Sequence, residues 1–496
     1  MHILKKVFPR VPLLALTATA PAALAADVQR ILLLDHESCV VMRAPSDRPN
    51  IFYEVLQKPQ SDADTLAALY DWLKTHRFLG NCNGRMNSAR DGRSVAHETP
   101  ASGIIYCYSR KDADSLAASL LSLGVTAGAY HAGQEDSEKE RVHSKWLSGS
   151  ISIVCATVAF GLGIDKPNVR FVIHVCLPKS TEAYYQESGR AGRDGLPARV
   201  ALFFSPADAI KMAALCHCDR SGVAPLRTMQ RFAMASYNSL GQSACRRKFL
   251  ARELGDCQED LDLVECRSGC DVCSKAAERS YSGPSSQAID ATAAALVVLA
   301  ALQAAASKSK KITFKGLVDD AVKLGKRKVK ECKKTKDGTD LTAVTDASKC
   351  ELLCATLFLD NVLVEDYHYT AYSTIVYCAP GRNASILNAG ARRVNLSLPE
   401  TLLCADSQTS SSLSFESDKT ASRSKKAEEG AGTFLEPSTC NEVILVNSDS
   451  DDKKHETYAA SNDFAAMRDS FDDDEYTRGD SDDDFESPAP KLARAS

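Results

Sequence analysis

Between residues 103 and 205 short β-branched runs alternate with amphipathic stretches of helical period. Such alternation predicts a parallel sheet with crossover helices, because each parallel pair needs a returning segment long enough to pack on the sheet. The expected strands are Gly103–Tyr108, Ala127–Tyr130, Ile151–Ala156, Val169–Val175 and Ala198–Phe204, with helices over Ala113–Leu123 and Glu135–Leu147. Residues 79–102, rich in Gly, Asn, Ser and Arg and without period, read as a surface insertion ahead of the first strand. Residues 211–280 carry helical patterns around a cysteine cluster, and 284 to about 400 carry helices followed by a β-rich stretch. Within that stretch, Leu363–Tyr377 has β-formers on both sides of a polar, aromatic centre and reads as a hairpin. The Ala-rich run Ala291–Ala306 is shorter than the ~20 residues that cross a bilayer and reads as a buried helix. From about residue 405 Ser, Asp and Glu dominate, the composition of a disordered tail, and no internal repeat is visible.

At 496 residues the chain exceeds one domain, and its 44% apolar content and mean hydropathy of -0.21 are those of a globular protein. The net charge of -4 conceals an acidic C-terminus behind a mildly basic body, a balance that suits a nucleic-acid partner. The 18 cysteines are dispersed except for one cluster with metal spacing, which argues for a reducing compartment. Lys5, Lys6 and Arg10, followed by Val11–Leu16 and small residues up to Ala26, imitate a secretory signal. The zinc and nucleotide motifs downstream argue against secretion.

Two segments carry phosphate chemistry. Ala156-Thr-Val-Ala-Phe-Gly-Leu-Gly-Ile-Asp165 joins a strand end to a glycine-bearing turn, where ligands bind in parallel sheets, with Asp165 able to accept from a ribose hydroxyl. Gln186-Glu-Ser-Gly-Arg-Ala-Gly-Arg-Asp-Gly195 presents Arg190 and Arg193 between glycines. Guanidinium is permanently charged and forked, suited to a transferring phosphoryl group.

These segments resemble motifs V and VI of superfamily-two helicases in the form used by the RecQ family. Gly103–Arg110 with Tyr130-His-Ala-Gly133 is similar to motif IV, Leu16-Thr-Ala-Thr-Ala20 resembles motif III, and Arg48-Pro-Asn50 resembles the interlobe joint. The resemblance is collinear from about residue 3 to 395. It implies Arg193 and Arg190 as arginine fingers, Gln186 as a member of the nucleotide network, Asp165 and Gly163 at the cofactor, and Ser109 and Thr157 on a DNA backbone. The sequence has neither G-x-x-x-x-G-K-[ST] nor Asp-Glu-x-His; Leu324-Gly-Lys-Arg327 is the nearest fragment. Met1 falls just before motif III, so the chain is expected to begin inside the first motor lobe, and ATP and Mg²⁺ would bind only with that lobe complete.

The expected fold class is an α/β RecA-like parallel-sheet domain, then a helical Cys₄ zinc module, an α+β winged helix and a disordered acidic tail. The boundaries are 1–48 for a first-lobe remnant, 49–210 for the second lobe, 211–282 for the zinc module, 283–400 for the winged helix and 401–496 for the tail. Cys266, Cys270 and Cys273 at C-x₃-C-x₂-C spacing, with Cys245 as fourth thiolate, suit a closed structural Zn²⁺ site; Cys257 is the alternative fourth ligand. Lysines 308–311 and 323–336 are either phosphate contacts or a solvated face. The hairpin is similar to the wing of the short human-type RecQ member without an HRDC domain, which implies a strand-separating tyrosine. Tyr367 is first choice and Tyr369 second, with cross-strand packing as the ordinary alternative. In the tail, Val443-Ile-Leu-Val446 beside acids resembles a SUMO-interacting strand, and the acidic-aromatic segments beyond resemble docking sites for single-strand-binding proteins, against the reading of a merely solvating tail. The functions to be separated are a nuclear ATP-dependent 3′-to-5′ DNA helicase acting on forked or partly single-stranded DNA in repair, recombination and replication, and a non-catalytic fork-binding adaptor. No membrane association is expected.

Overall fold

The computed structural model describes residues 6–397 and 443–447, apart from 35–38, 80–99, 162–163, 236–244, 257–263, 280–287, 336–339 and single positions at 9, 18, 20, 220, 265, 267 and 372. The chain begins with β1 (Leu14–Thr17), α1 (Ala22–Leu32) and β2 (Cys39–Met42). There follow β3 (Ile51–Gln57), α2 (Asp62–Thr75), β4 (Ser102–Tyr106), α3 (Arg110–Ser122), β5 (Ala127–Tyr130) and α4 (Asp136–Leu147). After these come β6 (Ile153–Ala156), β7 (Val169–His174), α5 (Thr181–Ser188) and β8 (Ala198–Phe204). Strands β3 to β8 form one sheet in the order β3-β8-β7-β4-β6-β5, every pair parallel.

The continuous apolar runs of β4 and β6 follow from that arrangement, since a parallel sheet is covered on both faces and every residue of these two strands is buried. Successive residues serve opposite faces. Ile104, Val172 and Leu202 join one core with Trp146 and Tyr184, while Ile105, Ile173 and Phe203 join the other with Leu120 and Leu73. Gly103 leaves room for the ring of Phe171, which lies 2.0 Å from where a Cβ would stand. Serines 61, 109, 180 and 205 cap α2, α3, α5 and the following α6 (Pro206–Cys216), each accepting from a first-turn amide.

Beyond α6 lie α7 (Ala224–Ala233), α8 (Arg246–Glu253) and α9 (Asp271–Arg279). The next part is built from β9 (Ala288–Asp290), α10 (Thr292–Ala306), β10 (Ile312–Thr313), α11 (Phe314–Thr335) and α12 (Ala347–Leu359). It continues with β11 (Leu363–Tyr369), β12 (Thr374–Pro380), α13 (Ala384–Asn388) and β13 (Asn395–Ser397). β11 and β12 form the expected hairpin, extended by β10, around a core of Val298, Leu317, Leu353 and Phe358. Helix α10 is buried as its composition predicts, and no described helix is long and apolar enough to cross a membrane.

The five strands and two helices expected in the parallel sheet stand within a few residues of their predicted bounds. β3 is the strand the pattern did not single out, although the sheet cannot close its edge without it. The proposed insertion falls mostly at 80–99, outside the described residues. One expectation is corrected. Val443, Ile444, Leu445 and Val446 do form a strand, β14 (Val443–Asn447), but it pairs antiparallel with β1 on one side (Leu14↔Val446) and β2 on the other (Ile444↔Met42). Both of its edges are occupied within the chain, so it has no free ladder for a partner's sheet. The rest of 401–496 lies outside the described residues.

Candidate functional site

The loop from Gly189 to Leu196 leaves α5 and enters β8 at the amino ends of β7 and β3, with Gly192 N donating to the carbonyl of Val169, the first residue of β7 (2.9 Å). Its two arginines stand in different surroundings. Arg193 is exposed and donates to the Ile164 carbonyl (3.1 Å) and to Asp165 Oδ1 (2.9 Å), so the two segments singled out in the sequence meet here. Arg190 is half-buried beside Gly161 and Tyr106, and its Nε is buried without a hydrogen-bond partner among the described residues. A buried guanidinium nitrogen with no acceptor is costly and marks a place where an anion would be welcome.

The surroundings of Arg190 were not legible in the sequence. Tyr106 donates to the Phe160 carbonyl (2.9 Å) and stacks on His174, with ring centroids 5.2 Å apart. His174 Nε2 lies 2.8 Å from Glu187 Oε2, one helical turn before Arg190. Burial drives the Tyr106 hydroxyl well above the ordinary phenol range, and the Arg190 charge draws it partly back. These residues come from β4, β7 and α5, and no local pattern links them.

The remaining candidates divide. Gln186 is exposed on α5, and Gly163 lies outside the described residues. Thr157 directly follows β6 and Ser109 follows β4, placing both at the same end of adjacent strands. The Ser109 hydroxyl accepts from Asp112 N (3.1 Å) as the α3 cap, which fixes it in place.

Cys245, Cys266, Cys270 and Cys273 gather with all four sulfurs within 4.8 Å of one another, three of them buried. Tetrahedral Zn²⁺ with bonds of ~2.3 Å needs sulfurs about 3.8 Å apart, and Cys266 and Cys270 stand at 3.5 Å. The donor set therefore fits the ion with Cys245 as fourth member; the alternative, Cys257, lies outside the described residues. The cluster also finishes the sheet: Tyr53 N donates to the Gly269 carbonyl (3.3 Å), and Asp271 accepts from Val55 N (3.1 Å) while forming a bidentate pair with buried Arg246 (2.5 and 2.9 Å). The exposed ladder of edge strand β3 is thereby covered.

In the hairpin, Tyr367 is half-buried and stacks on His217, centroids 4.2 Å apart and planes 11° from parallel. One face of its ring is therefore covered. Tyr369 is 63% exposed, and its hydroxyl meets His217 Nε2 at 3.0 Å. The base of the hairpin is fastened by the Arg227–Glu365 ion pair. On α11, Lys323, Lys326, Arg327 and Lys330 are exposed. Gly325, in the fragment examined for phosphate binding, instead lies mid-helix against the Val344 carbonyl, 2.4 Å from a Cβ position.

Residues 92–195 match the model of the helicase conserved C-terminal domain. The chain is 33% identical over 439 residues to ATP-dependent DNA helicase Q1 of Pongo abelii, covering 88% of this chain and 60% of the relative. It is 35% identical over 388 residues to ATP-dependent DNA helicase Q1 of Rattus norvegicus, covering 78% and 55% respectively. With the RecQ-like DNA helicase blm-1 of Caenorhabditis elegans it shares 33% identity over 269 residues, 54% of this chain and 24% of that one. The chain spans about half the length of the Q1 relatives it matches.

Proposed function

We propose, from the premise that this chain belongs to the RecQ family of helicases, that it works as the second-lobe and DNA-binding half of an ATP-dependent DNA helicase moving 3′ to 5′. The observation that carries the reading is Arg190, buried with an unsatisfied Nε, next to exposed Arg193 on a glycine-flanked loop at the strand ends. Arg193 would exchange Asp165 for a phosphate oxygen, and Arg190, held by Tyr106 and Gly161, would stabilise charge developing on the transferred group. Bound ATP with Mg²⁺ supplies the phosphoryl group. We propose that a further lobe carrying the phosphate-binding loop completes this site, since the sequence here contains no such motif.

The Cys₄ cluster is read as a structural zinc site: four protein thiolates leave no position for a catalytic water. Residues 288–397 are read as a winged helix whose α11 lysines meet duplex phosphates and whose Tyr369 stacks on a base at the fork. Tyr367 serves there as the support beneath it, a reversal of the order expected from sequence. DNA as the partner implies a nuclear site of action.

The sequence lacking a phosphate-binding loop favours a second reading, a fork-binding adaptor without ATP turnover. DNA-stimulated ATP hydrolysis when the purified chain is combined with a lobe carrying the phosphate-binding loop, abolished by Arg193→Ala, is the outcome expected of the first reading. Salt-sensitive binding to forked DNA with no hydrolysis even when that lobe is supplied would establish the second.

A further inference from the structure

Residues 46–50 connect β2 to β3, and their polar groups face two ways. Toward the arginine loop, Arg48 Nη2 donates to the carbonyls of Ala191 (3.3 Å) and Gly192 (3.1 Å). Asn50 Nδ2 donates to the carbonyls of Gly192 (2.8 Å) and Leu196 (3.0 Å), and the Asn50 carbonyl accepts from Ala198 N (2.9 Å). Gly192, between the two arginines, has φ +61°, and a Cβ there would stand 2.5 Å from Asn50 Nδ2. Toward the cysteine module, Ser46 N and Oγ donate to Asp256 Oδ2 (2.9 and 2.8 Å), and Asp47 pairs with Arg247, whose Nη1 reaches the Cys266 carbonyl at 3.4 Å.

We propose that this five-residue strap positions the phosphate-contacting loop: Arg48 and Asn50 are positioning residues for Arg190 and Arg193, and Asp47 links their placement to the Cys₄ module. The reasoning is one of geometry. The carbonyls of 191 and 196 lie on an irregular loop, where no ladder neighbour supplies donors, and the strap supplies them; the Gly192 carbonyl accepts from Gly195 N (3.1 Å) as well as from the strap. A loop held at two carbonyls on either side of Arg193 keeps the guanidinium within the narrow range that phosphoryl stabilisation requires. The functional consequence rests on the proposed role of the two arginines; the strap itself does not.

Hydrogen exchange followed by mass spectrometry on the full chain tests the strap. Asn50→Asp keeps the volume but removes both donors, and should speed exchange across 189–197 about tenfold, the factor expected for roughly one net hydrogen bond. Peptides from β4 and β7 should be unchanged. Arg48→Met should act likewise and Arg48→Lys should restore most of the protection, whereas a role in packing alone would not distinguish methionine from lysine. Asp47→Asn should speed exchange in 189–197 without touching that segment; no change there would overturn the link to the Cys₄ module. Unaltered exchange in Asn50→Asp would overturn the positioning role. In parallel, with a lobe carrying the phosphate-binding loop supplied, ATP hydrolysis by Asn50→Asp should show kcat lowered about tenfold or more with KM little changed, and a loss confined to KM would count against positioning. Absence of hydrolysis by the wild-type chain together with a lobe carrying the phosphate-binding loop would refute the helicase reading alone, because exchange still decides the strap.

Discussion

Two sheets in this molecule use the same apolar strand residues and finish differently. In the parallel sheet, β4 and β6 are buried on both faces by helices and by the long side chains of two cores. In the small antiparallel sheet of β1, β14 and β2, Leu14 and Leu16 are each 56% exposed, and Val40, Val41 and Met42 are also exposed. Backbone pairing is satisfied in both. What differs is the second layer, and the contrast shows that β-propensity and ladder hydrogen bonds fix strands, while burial of the sheet face supplies most of the stability.

That contrast can be broken most directly at Phe171, whose ring fills the notch at Gly103 and packs on Trp72 and Phe78. Phe171→Ala should destabilise by about 4 kcal/mol in urea unfolding, the cost of a large aromatic lost from a closed core. Next is the edge of the same sheet. Arg246→Met should cost about 3 kcal/mol, because it leaves buried Asp271 without its bidentate partner. A loss near zero there would mean that the cysteine module does not stabilise the sheet it covers.

A smaller effect is expected at Glu351, which lines a cavity of about 290 Å³ with Lys58 and Ser205 beneath the sheet's carboxyl end. Burial, then the charges of Asp346, Asp208 and Asp319, pushes its carboxyl up to about 7. A folded pKa raised above the unfolded value means that the native state holds more protons between about pH 4.5 and 7. Stability from this group is therefore present at the acid end and falls as pH rises through that window. Glu351→Gln should flatten the fall and stabilise by about 1–2 kcal/mol at pH 8, after discounting for partial exposure. An unchanged pH profile would place that carboxylate in ordinary solvent. The smallest change belongs to the other sheet: Leu16→Ser should alter stability by no more than about 0.5 kcal/mol, as for an exposed surface position. A cost approaching that of Phe171→Ala would show that β1 is covered after all.

Local signals carried much of the architecture. Period-2 and period-3.6 patterns marked the strands and helices of the parallel sheet, because a strand buried on both faces is almost uninterruptedly apolar. The cysteine spacing identified the candidate ligand set because Cys266, Cys270 and Cys273 lie within one short stretch, where sequence distance and spatial distance nearly coincide. Arg190 and Arg193 were legible for the same reason. β3 was overlooked although its residues alternate, because it stands outside the repeating strand and helix pattern of 103–205 and its neighbour, β8, lies about 150 residues away in sequence.

By itself, then, the sequence determined the elements, the arginine loop, the thiolate set and the membership in a helicase family, all properties written within a few consecutive residues. Only the tertiary structure decided that Arg193 meets Asp165, that Arg190 is left unsatisfied beside Tyr106, that Arg48 and Asn50 hold the loop between them, and that Tyr367 lies under His217 while Tyr369 remains exposed. It also decided that the apolar tail segment closes a sheet within the chain. Each of these depends on which distant backbone groups and rings the packing brings within a few ångströms, and hydrogen bonds and desolvation act only over that range.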